Sequence, residues 1–161
     1  RSEMCIRDSI FGVPDKARTL NDELTGQVKD LTSQASKDSQ HSAAALWVEA
    51  GNSGFYTYGT SSMVQPILEA NGLRNVYDGE RKRVFDTTME DVLKRNPEWI
   101  VLLAQEGDIA KTKPAFLKYK GASQLQAVRK NQVVVIPFSL TDPPTPQSIK
   151  GAVELNKLLK K

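Results

Sequence analysis

The chain has 161 residues, a formal net charge of +3, 39% hydrophobic residues and 25% charged residues, values typical of a globular protein with one domain or slightly more. No window approaches the roughly 18 consecutive apolar residues that a membrane-spanning helix needs, and the basic residues are interspersed with acidic ones, which argues against a nucleic-acid partner. The only cysteine is Cys5, so the chain has no disulfide framework, and without residues 1–9 it has no thiol chemistry either.

The first nine residues, RSEMCIRDS, lack the pattern of a signal peptide. The codons ATG-TGT-ATA-AGA-GAC-AGC would encode residues 4–9, and this DNA resembles the transposon end used in sequencing-library adapters. We therefore interpret residues 1–9 as translated adapter sequence, with a genuine disordered tail as the alternative. On this interpretation Cys5 is not a residue of the natural protein.

The segment that begins at Pro14 predicts a long amphipathic helix. Pro14 followed by Asp15 is a typical helix start, and the polar stretch SKDSQHS ends the periodic pattern. Apolar residues recur at spacings of three and four, which aligns them on one face of the helix: Ala17, Leu20, Leu24, Val28, Leu31 and Ala35. Because this apolar stripe is narrow, we expect the helix to lie along a larger body. His41, the only histidine, is interpreted as a linker residue.

After His41 the sequence alternates between predicted strands and helices. The predicted strands are AAALWVEA, LRNVY, PEWIVLLA and VVVIP, and GNSGFYTYGTSS is predicted as a loop. Helices are predicted in SMVQPILEANGL, TTMEDVLKRN, KPAFLKYKGASQLQAVRKNQ and PQSIKGAVELNKLLKK. Short apolar strands separated by helices indicate a mostly parallel sheet that is covered on both faces. Ligands of such sheets bind beyond the carboxyl ends of the strands, here the loops after Ala50, Ala104 and Pro137.

The usual signatures of enzymes are missing. The chain contains neither the glycine pattern of a dinucleotide-binding turn nor that of a P-loop. GTSSM lacks the second glycine of a nucleophile elbow, and the single histidine precedes the first strand, which argues against a serine hydrolase. One histidine without cysteines also cannot form a transition-metal site of its own.

Aromatic and cationic residues are concentrated on the predicted loops instead. The candidate ligand-binding residues are Phe55, Tyr56, Tyr58, Arg81, Arg83, Phe85 and Phe138. Aromatic rings provide flat apolar contact area, and guanidinium groups donate paired hydrogen bonds to carboxylate or catecholate oxygens. A solvated basic run and ordinary core aromatics are the alternative interpretation of the same residues.

Three segments, in order, carry a resemblance to a known family: YTYGTSSMVQPILEANGLRNVY, TTMEDVLKRNPEWIVLL and ASQLQAVRKNQVVVIP. Together they resemble the C-terminal lobe of the substrate-binding proteins that deliver ferric siderophores, haem or cobalamin to ABC importers, the helical-backbone or class III periplasmic binding proteins. The resemblance runs from about Leu46 to the C terminus. The helix that begins at Pro14 resembles the long connecting helix between the two lobes of such proteins.

The resemblance implies a Rossmann-like α/β lobe preceded by an interlobe helix, with the N-terminal lobe absent. Residues 10–41 would form the connecting helix and linker, and residues 42–161 the ligand-binding lobe. It further implies a monomeric, non-enzymatic protein that captures a metal chelate, without a cofactor of its own, and passes it to a membrane permease. Its location would be extracytoplasmic, either free in the periplasm or lipid-anchored at the cell surface.

Glu90 is singled out by the resemblance as the residue that pairs with arginines of the permease. A structural alternative is a capping box in which Glu90 closes back on the backbone N–H of Thr87. Two further alternatives concern the whole chain: a free-standing α/β enzyme or regulatory domain, and a transport protein that binds Mn or Zn directly. The shortage of histidines disfavours the direct binding of metal.

Overall fold

The computed structural model describes residues 14–35, 41–48, 55–143 and 145–160. The N-terminal nonapeptide with Cys5, and residues 51–54 of the loop that was expected after Ala50, lie outside this part of the chain.

Six strands form one sheet in the described part of the chain. They are β1 (His41–Val48), β2 (Phe55–Tyr58), β3 (Leu73–Asn75), β4 (Val84–Thr87), β5 (Trp99–Ala104) and β6 (Val133–Pro137). Their order is β4-β2-β1-β5-β6, and β3 also pairs with β1. The pairings of β1 with β3, of β1 with β5 and of β5 with β6 are parallel, whereas β2 is antiparallel to β1 and to β4. The predicted mostly parallel α/β sheet is confirmed.

Two strands were not predicted. The segment FYTY was expected to be a loop and forms β2, and VFDT was expected to lead directly into a helix and forms β4. Both strands have only four residues and lack a continuous apolar run, so neither carries a strong strand pattern. They are stabilised by tertiary contacts, such as the hydrogen bond that the Thr57 hydroxyl donates to the carbonyl oxygen of Ala45, at 2.9 Å. His41 is likewise the first residue of β1 and not a linker residue.

Six α-helices accompany these strands in the described ranges. They are α1 (Pro14–Ala35), α2 (Val64–Ala70), α3 (Met89–Arg95), α4 (Ile109–Leu117), α5 (Gln126–Arg129) and α6 (Gln147–Leu159). Short 3₁₀ turns cover Glu106–Asp108, Ala122–Gln124 and Phe138–Leu140. The predicted end of α2 at Asn71-Gly72 is confirmed, with Gly72 in the left-handed region at φ 68°. Glycine adopts this conformation without the steric cost that a Cβ atom would add.

The sheet has a hydrophobic core on each face. One face packs against Leu31 of α1, Leu68 of α2 and Leu155 of α6, and we call it the α6 face. The other packs against Phe116 of α4 and Ala127 of α5, and we call it the α4 face. The prediction that helices cover both faces is therefore confirmed.

Helix α1 buries only part of its apolar stripe. Leu24 and Leu31 are buried, whereas Leu20 is 47% exposed and Val28 is 38% exposed. An open apolar groove of about 440 Å³ separates α1 from the start of α6, with Leu24, Val28 and Ile149 among its lining residues. The buried side chains of α1 pack against α2 and α6, so the expectation that α1 lies along a larger body is confirmed for these side chains.

Candidate ligand-binding site

Three aromatic residues follow one another along the carboxyl edge of the sheet. Trp47 of β1 lies directly opposite Tyr56 of β2 in the antiparallel register, so both side chains point to the same face. The Trp47 and Phe138 rings meet edge to face, with their centroids 5.0 Å apart. Tyr56 is 36% exposed. We call Tyr56, Trp47 and Phe138 the aromatic row.

The register of the parallel strands explains the position of the aromatic row. Trp47 is aligned with Leu103 of β5, and Leu103 with Ile136 of β6. Trp47 is the penultimate residue of β1, and Phe138 directly follows the last residue of β6. The row therefore lies where neighbouring parallel strands end, which is the usual position of ligand sites in open α/β sheets.

A charged pair on the same face joins the start of β4 to the turn after β6. Arg83 donates a hydrogen bond from its guanidinium group to the Asp142 carboxylate. The Arg83 side chain is 59% exposed, whereas that of Asp142 is only 10% exposed. The second oxygen of Asp142, Oδ1, is buried and has no hydrogen-bond partner among the described residues. The buried carboxylate thus fixes one end of an otherwise solvated guanidinium group.

Tyr58 is buried beside this pair. Burial raises the pKa of the Tyr58 hydroxyl well above its ordinary value, and the Asp142 carboxylate raises it further, while Arg83 acts in the opposite direction. The phenol therefore stays protonated at neutral pH. Because tyrosine binds Fe(III) as the phenolate, Tyr58 is poorly suited to ligate bare iron. As a buried neutral side chain it is suited to support the ligand-facing surface of the α6 face.

Two of the predicted site residues lie on the opposite face of the sheet. Phe55 is buried against Phe116 and Tyr119, with ring centroids 5.8 and 4.7 Å away. Phe85 packs edge to face on Tyr77 at 5.5 Å. Both side chains belong to the core of the α4 face, so the structure does not bring them together with the aromatic row.

Arg81 is also distant from the aromatic row. It precedes the first residue of β4, whereas the last residue, Thr87, pairs with Phe55 at the carboxyl edge. The Arg81 carbonyl oxygen accepts a hydrogen bond from the Ser61 hydroxyl at 2.6 Å. This bond holds residues 81–83 against the turn after β2. The structure thus places Arg81 at the amino edge of the sheet and Tyr56 near the carboxyl edge.

The helix that carries Glu90 is capped differently from the expectation. Thr88 is the N-cap residue, and its hydroxyl accepts a hydrogen bond from the backbone N–H of Asp91 at 3.2 Å. Thr87 is the last residue of β4, and its hydroxyl donates to the Asp91 carboxylate at 3.1 Å. The expected capping box of Thr87 and Glu90 is therefore wrong, because strand pairing shifts the cap by one residue. Glu90 is exposed in the first turn of α3.

The sequence missed two residues of this site. Trp47 was predicted only as part of a strand, although its alternation with buried Leu46 could have indicated that it faces the α6 side near the strand end. Asp142 lies in LTDPPTP, where nothing in the sequence indicates a buried carboxylate. It is located by the turn after β6, which only the fold defines.

The described residues contain no group of three or more histidine, cysteine, aspartate or glutamate side chains that could hold a metal ion. His41 instead lies at the base of β1, with its Nδ1 atom 3.3 Å from Oε1 of Glu98. In the same part of the chain, no helix is both long and apolar enough to cross a membrane.

Known proteins share this architecture. Residues 9–140 match the profile of a family described as periplasmic binding protein. An Fe3+-hydroxamate ABC-type transport system protein of Saccharomonospora viridis DSM 43017 is 35% identical, with a TM-score of 0.87; the match covers 99% of this chain and 54% of that one. No curated protein matches the chain.

More distant structures show the same fold. The periplasmic haem-binding protein RhuT of Roseiflexus sp. RS-1 is 14% identical, with a TM-score of 0.80 over 94% of this chain and 58% of that one. The periplasmic vitamin B12 binding protein BtuF of Vibrio cholerae is 19% identical, with a TM-score of 0.73 over 92% of this chain and 54% of that one.

The chain thus spans between about half and three fifths of the length of these structures. The profile match covers most of the 161 residues, and the aromatic row lies within it. Proteins of this family are extracytoplasmic, bind small solutes for ABC transporter permeases and are not enzymes. The chain belongs to the periplasmic binding protein family.

Proposed function

We propose that the protein containing this chain binds a metal chelate against the aromatic row and delivers it to an ABC permease. A ferric siderophore is the first candidate ligand, and haem or cobalamin the second. The observation that carries the proposal is the aromatic row itself, in which Trp47 and Phe138 make edge-to-face contact beside the partly exposed Tyr56. Such rings provide rigid apolar area for a bulky chelate. The resemblance to an Fe3+-hydroxamate transport protein supports iron as the metal.

The candidate residues take different parts in this proposal. Tyr56, Trp47 and Phe138 contact the ligand, and the exposed part of Arg83 offers N–H donors to its oxygen atoms. Tyr58 supports this surface from below as a neutral phenol. Phe55 and Phe85 stabilise the sheet from the α4 face. Arg81 lies outside the proposed contact surface because it is at the amino edge.

We further propose that α1 joins this lobe to a second lobe and that the ligand binds between them. A helix of 22 residues is stiff, so closure around the ligand would be modest. Leu20 and Val28, the exposed apolar residues of α1, would face the second lobe. The protein would act as a monomer, either free in the periplasm or attached to the cell surface by a lipid.

Glu90 is proposed to pair with arginine residues of the permease. Its carboxylate is exposed, and the N-cap function that competed with docking belongs to Thr88 and Asp91. Because β4 runs in the same direction as β1, helix α3 begins at the carboxyl edge, where the aromatic row also lies, although α3 packs on the α4 face. A permease could therefore contact Glu90 and the bound ligand from one side.

Titration with ferric chelates tests the proposed ligand. The full-length gene product is titrated with a ferric hydroxamate, haem and cobalamin while tryptophan fluorescence is followed. Quenching by one of them is expected, and Tyr56→Ala should weaken its affinity about tenfold. Leu117→Ala is a matched control, since Leu117 is an exposed residue at the end of α4. Equal affinities of the wild type and Tyr56→Ala would contradict the proposed surface.

Charge reversal tests the docking residue. Glu90→Lys should impair uptake of the ligand by cells while its affinity for the purified protein stays the same. Glu69→Lys, at an exposed position on α2, is the matched control and should leave uptake intact. Loss of ligand affinity in Glu90→Lys would contradict a pure docking function.

A further inference from the structure

Two carboxylates lie near the aromatic row. Asp86 of β4 is directly opposite Tyr56 in the antiparallel register and is exposed, so its side chain lies beside the Tyr56 ring on the α6 face. Near the other end of the row, the carboxylate of Glu106, in the turn after β5, accepts a hydrogen bond from the hydroxyl of Ser139 at 2.9 Å, and Ser139 directly follows Phe138. A ligand on the aromatic row would therefore lie near two acidic side chains.

Arg83, the cation beside Tyr58 on this face, is already paired. Arg83 is bound to Asp142, whose carboxylate is nearly buried and whose Oδ1 atom has no partner in the described ranges. If Arg83 turned towards a ligand, it would leave a buried and unpaired negative charge, and breaking a buried pair in this way is strongly destabilising. Arg83 therefore stays bound to Asp142, and the pair contributes no net charge to the surface.

We propose that Arg83, Asp142, Asp86 and Glu106 make this wall of the cleft select chelates that carry no net negative charge, in preference to highly anionic ones. This inference rests on the proposed function, since it assumes that the aromatic row binds the chelate. Arg83 then acts through the N–H donors that Asp142 leaves free, which suit a neutral oxygen acceptor. Asp86 and Glu106 repel a polyanion.

The selection separates the two main chemical classes of siderophore. Three hydroxamate groups lose one proton each and balance the charge of Fe(III), so a ferric trihydroxamate is neutral or, with an added amine, cationic. Three catecholate groups lose two protons each, and the ferric complex is a trianion. A polyanion on the aromatic row would face Asp86 and Glu106, and Arg83 would not offset their charge because it is already paired with Asp142.

The test measures the ratio of two affinities in matched variants. The full-length protein is titrated with ferrioxamine B, a cationic ferric trihydroxamate, and with ferric enterobactin, a trianionic catecholate. The variants are Asp86→Asn, Asp142→Asn and the remote control Glu69→Gln. Asp86→Asn removes one exposed negative charge from an edge strand, so it is expected to fold normally. Because the rest of the cleft is the same in every variant, a change in the ratio is due to the substituted residue.

Asp86→Asn is expected to change the ratio of the two affinities about 3- to 10-fold in favour of the catecholate. A unit charge has an effect of this size on the binding of a nearby trianion at moderate salt. Asp142→Asn should change it in the same direction, because Arg83 then has an unpaired positive charge. Added salt should reduce the effect of Asp86→Asn, and Glu69→Gln should leave the ratio unchanged.

Two results would overturn the inference in different ways. If Asp86→Asn folds normally and leaves the ratio within twofold of the wild type, charge selection by this wall is wrong while the proposed function stands. If the wild type binds neither probe and also fails to bind haem and cobalamin, the proposed function and the inference both fail.

Discussion

The Trp47 ring stands edge to face against the Phe138 ring, with 5.0 Å between the centroids. This contact joins the end of β1 to the turn after β6, although β5 separates the two strands in the sheet. The two rings fix each other's orientation, so the surface that they form is rigid before a ligand binds. Rigid aromatic surfaces lose little conformational entropy on binding.

The first prediction concerns this contact. In a Trp99→Phe background Trp47 is the only tryptophan of these 161 residues, and any tryptophan elsewhere in the full-length protein is replaced by Phe as well. In this background Phe138→Ala should shift the emission maximum to the red because Trp47 becomes more exposed to water. The affinity for the chelate should fall about tenfold. Phe138→Leu keeps most of the apolar volume and should have a smaller effect on both. An unchanged emission maximum in Phe138→Ala would contradict the contact.

The second prediction concerns the cap of α3. Thr88→Ala removes the hydroxyl that accepts from the N–H of Asp91 and should lower the free energy of unfolding by about 1 kcal/mol. Glu90→Gln should lower it by no more than about 0.5 kcal/mol, since only a helix-dipole interaction is weakened. Urea denaturation measures both values. If Glu90→Gln lowered the free energy of unfolding as much as Thr88→Ala, this would show instead that Thr87 and Glu90 form a capping box.

The third prediction compares two glycines inside helices. A Cβ atom at Gly151 of α6 would clash with the carbonyl oxygen of Leu140, whereas one at Gly26 of α1 would meet nothing within 4 Å. Gly26→Ala should therefore stabilise the protein by about 0.5 to 1 kcal/mol. Gly151→Ala should destabilise it by about 2 kcal/mol or more, because α6 must move away from the turn after β6.

Thermal denaturation of the two variants checks this pair. The same substitution in the same type of element is expected to change the melting temperature in opposite directions. Equal changes would show that α6 does not approach Leu140 as closely as the structure indicates.

The fourth prediction concerns stability at alkaline pH. Burial raises the pKa of Tyr77 to about 12, whereas the unfolded chain has a tyrosine pKa of about 10. As the pH rises past this lower value, the unfolded state releases its proton first, so the free energy of unfolding falls until the pH exceeds the folded pKa. The contribution of Tyr77 to this loss should be about 1 kcal/mol between about pH 9 and about pH 11.

Tyr77→Phe tests this contribution. The variant also loses the contact between the Tyr77 and Thr87 hydroxyls, which are 3.1 Å apart, so it is compared with the wild type at each pH separately. Urea denaturation at about pH 9 and about pH 11 should show that the stability difference between the two proteins shifts in favour of the variant at the higher pH. A difference that does not change with pH would contradict the raised pKa.

Much of the fold follows from local patterns in the sequence. The strands β1, β5 and β6 are continuous apolar runs, and α1 and α6 have helical apolar periodicity, so their positions were predicted correctly. The strands β2 and β4 were not predicted, because a strand of four residues is stabilised by its neighbours and carries little signal of its own. For the same reason the N-cap of α3 was predicted one residue too early, because Thr87 belongs to β4 and pairs with Phe55.

The candidate site was predicted less completely than the fold. The chain positions of Tyr56 and Phe138, in loops or at the ends of strands, indicated a ligand surface, and in the structure each of them neighbours Trp47. The same reasoning could not separate them from Phe55 and Phe85, because the side of the sheet that a ring faces depends on the strand register. A shift by one residue moves a side chain to the other face.

By itself the sequence determined the α/β class, the order of the main elements and the resemblance to periplasmic binding proteins, because these depend on periodicity and on motifs that are local in the chain. Only the tertiary structure decided that Arg83 is paired with Asp142 and that Asp86 lies beside Tyr56. The physical reason is that electrostatic interactions depend on distance and burial. Residues 59 positions apart in the sequence become neighbours only when the sheet and the turn after β6 are formed.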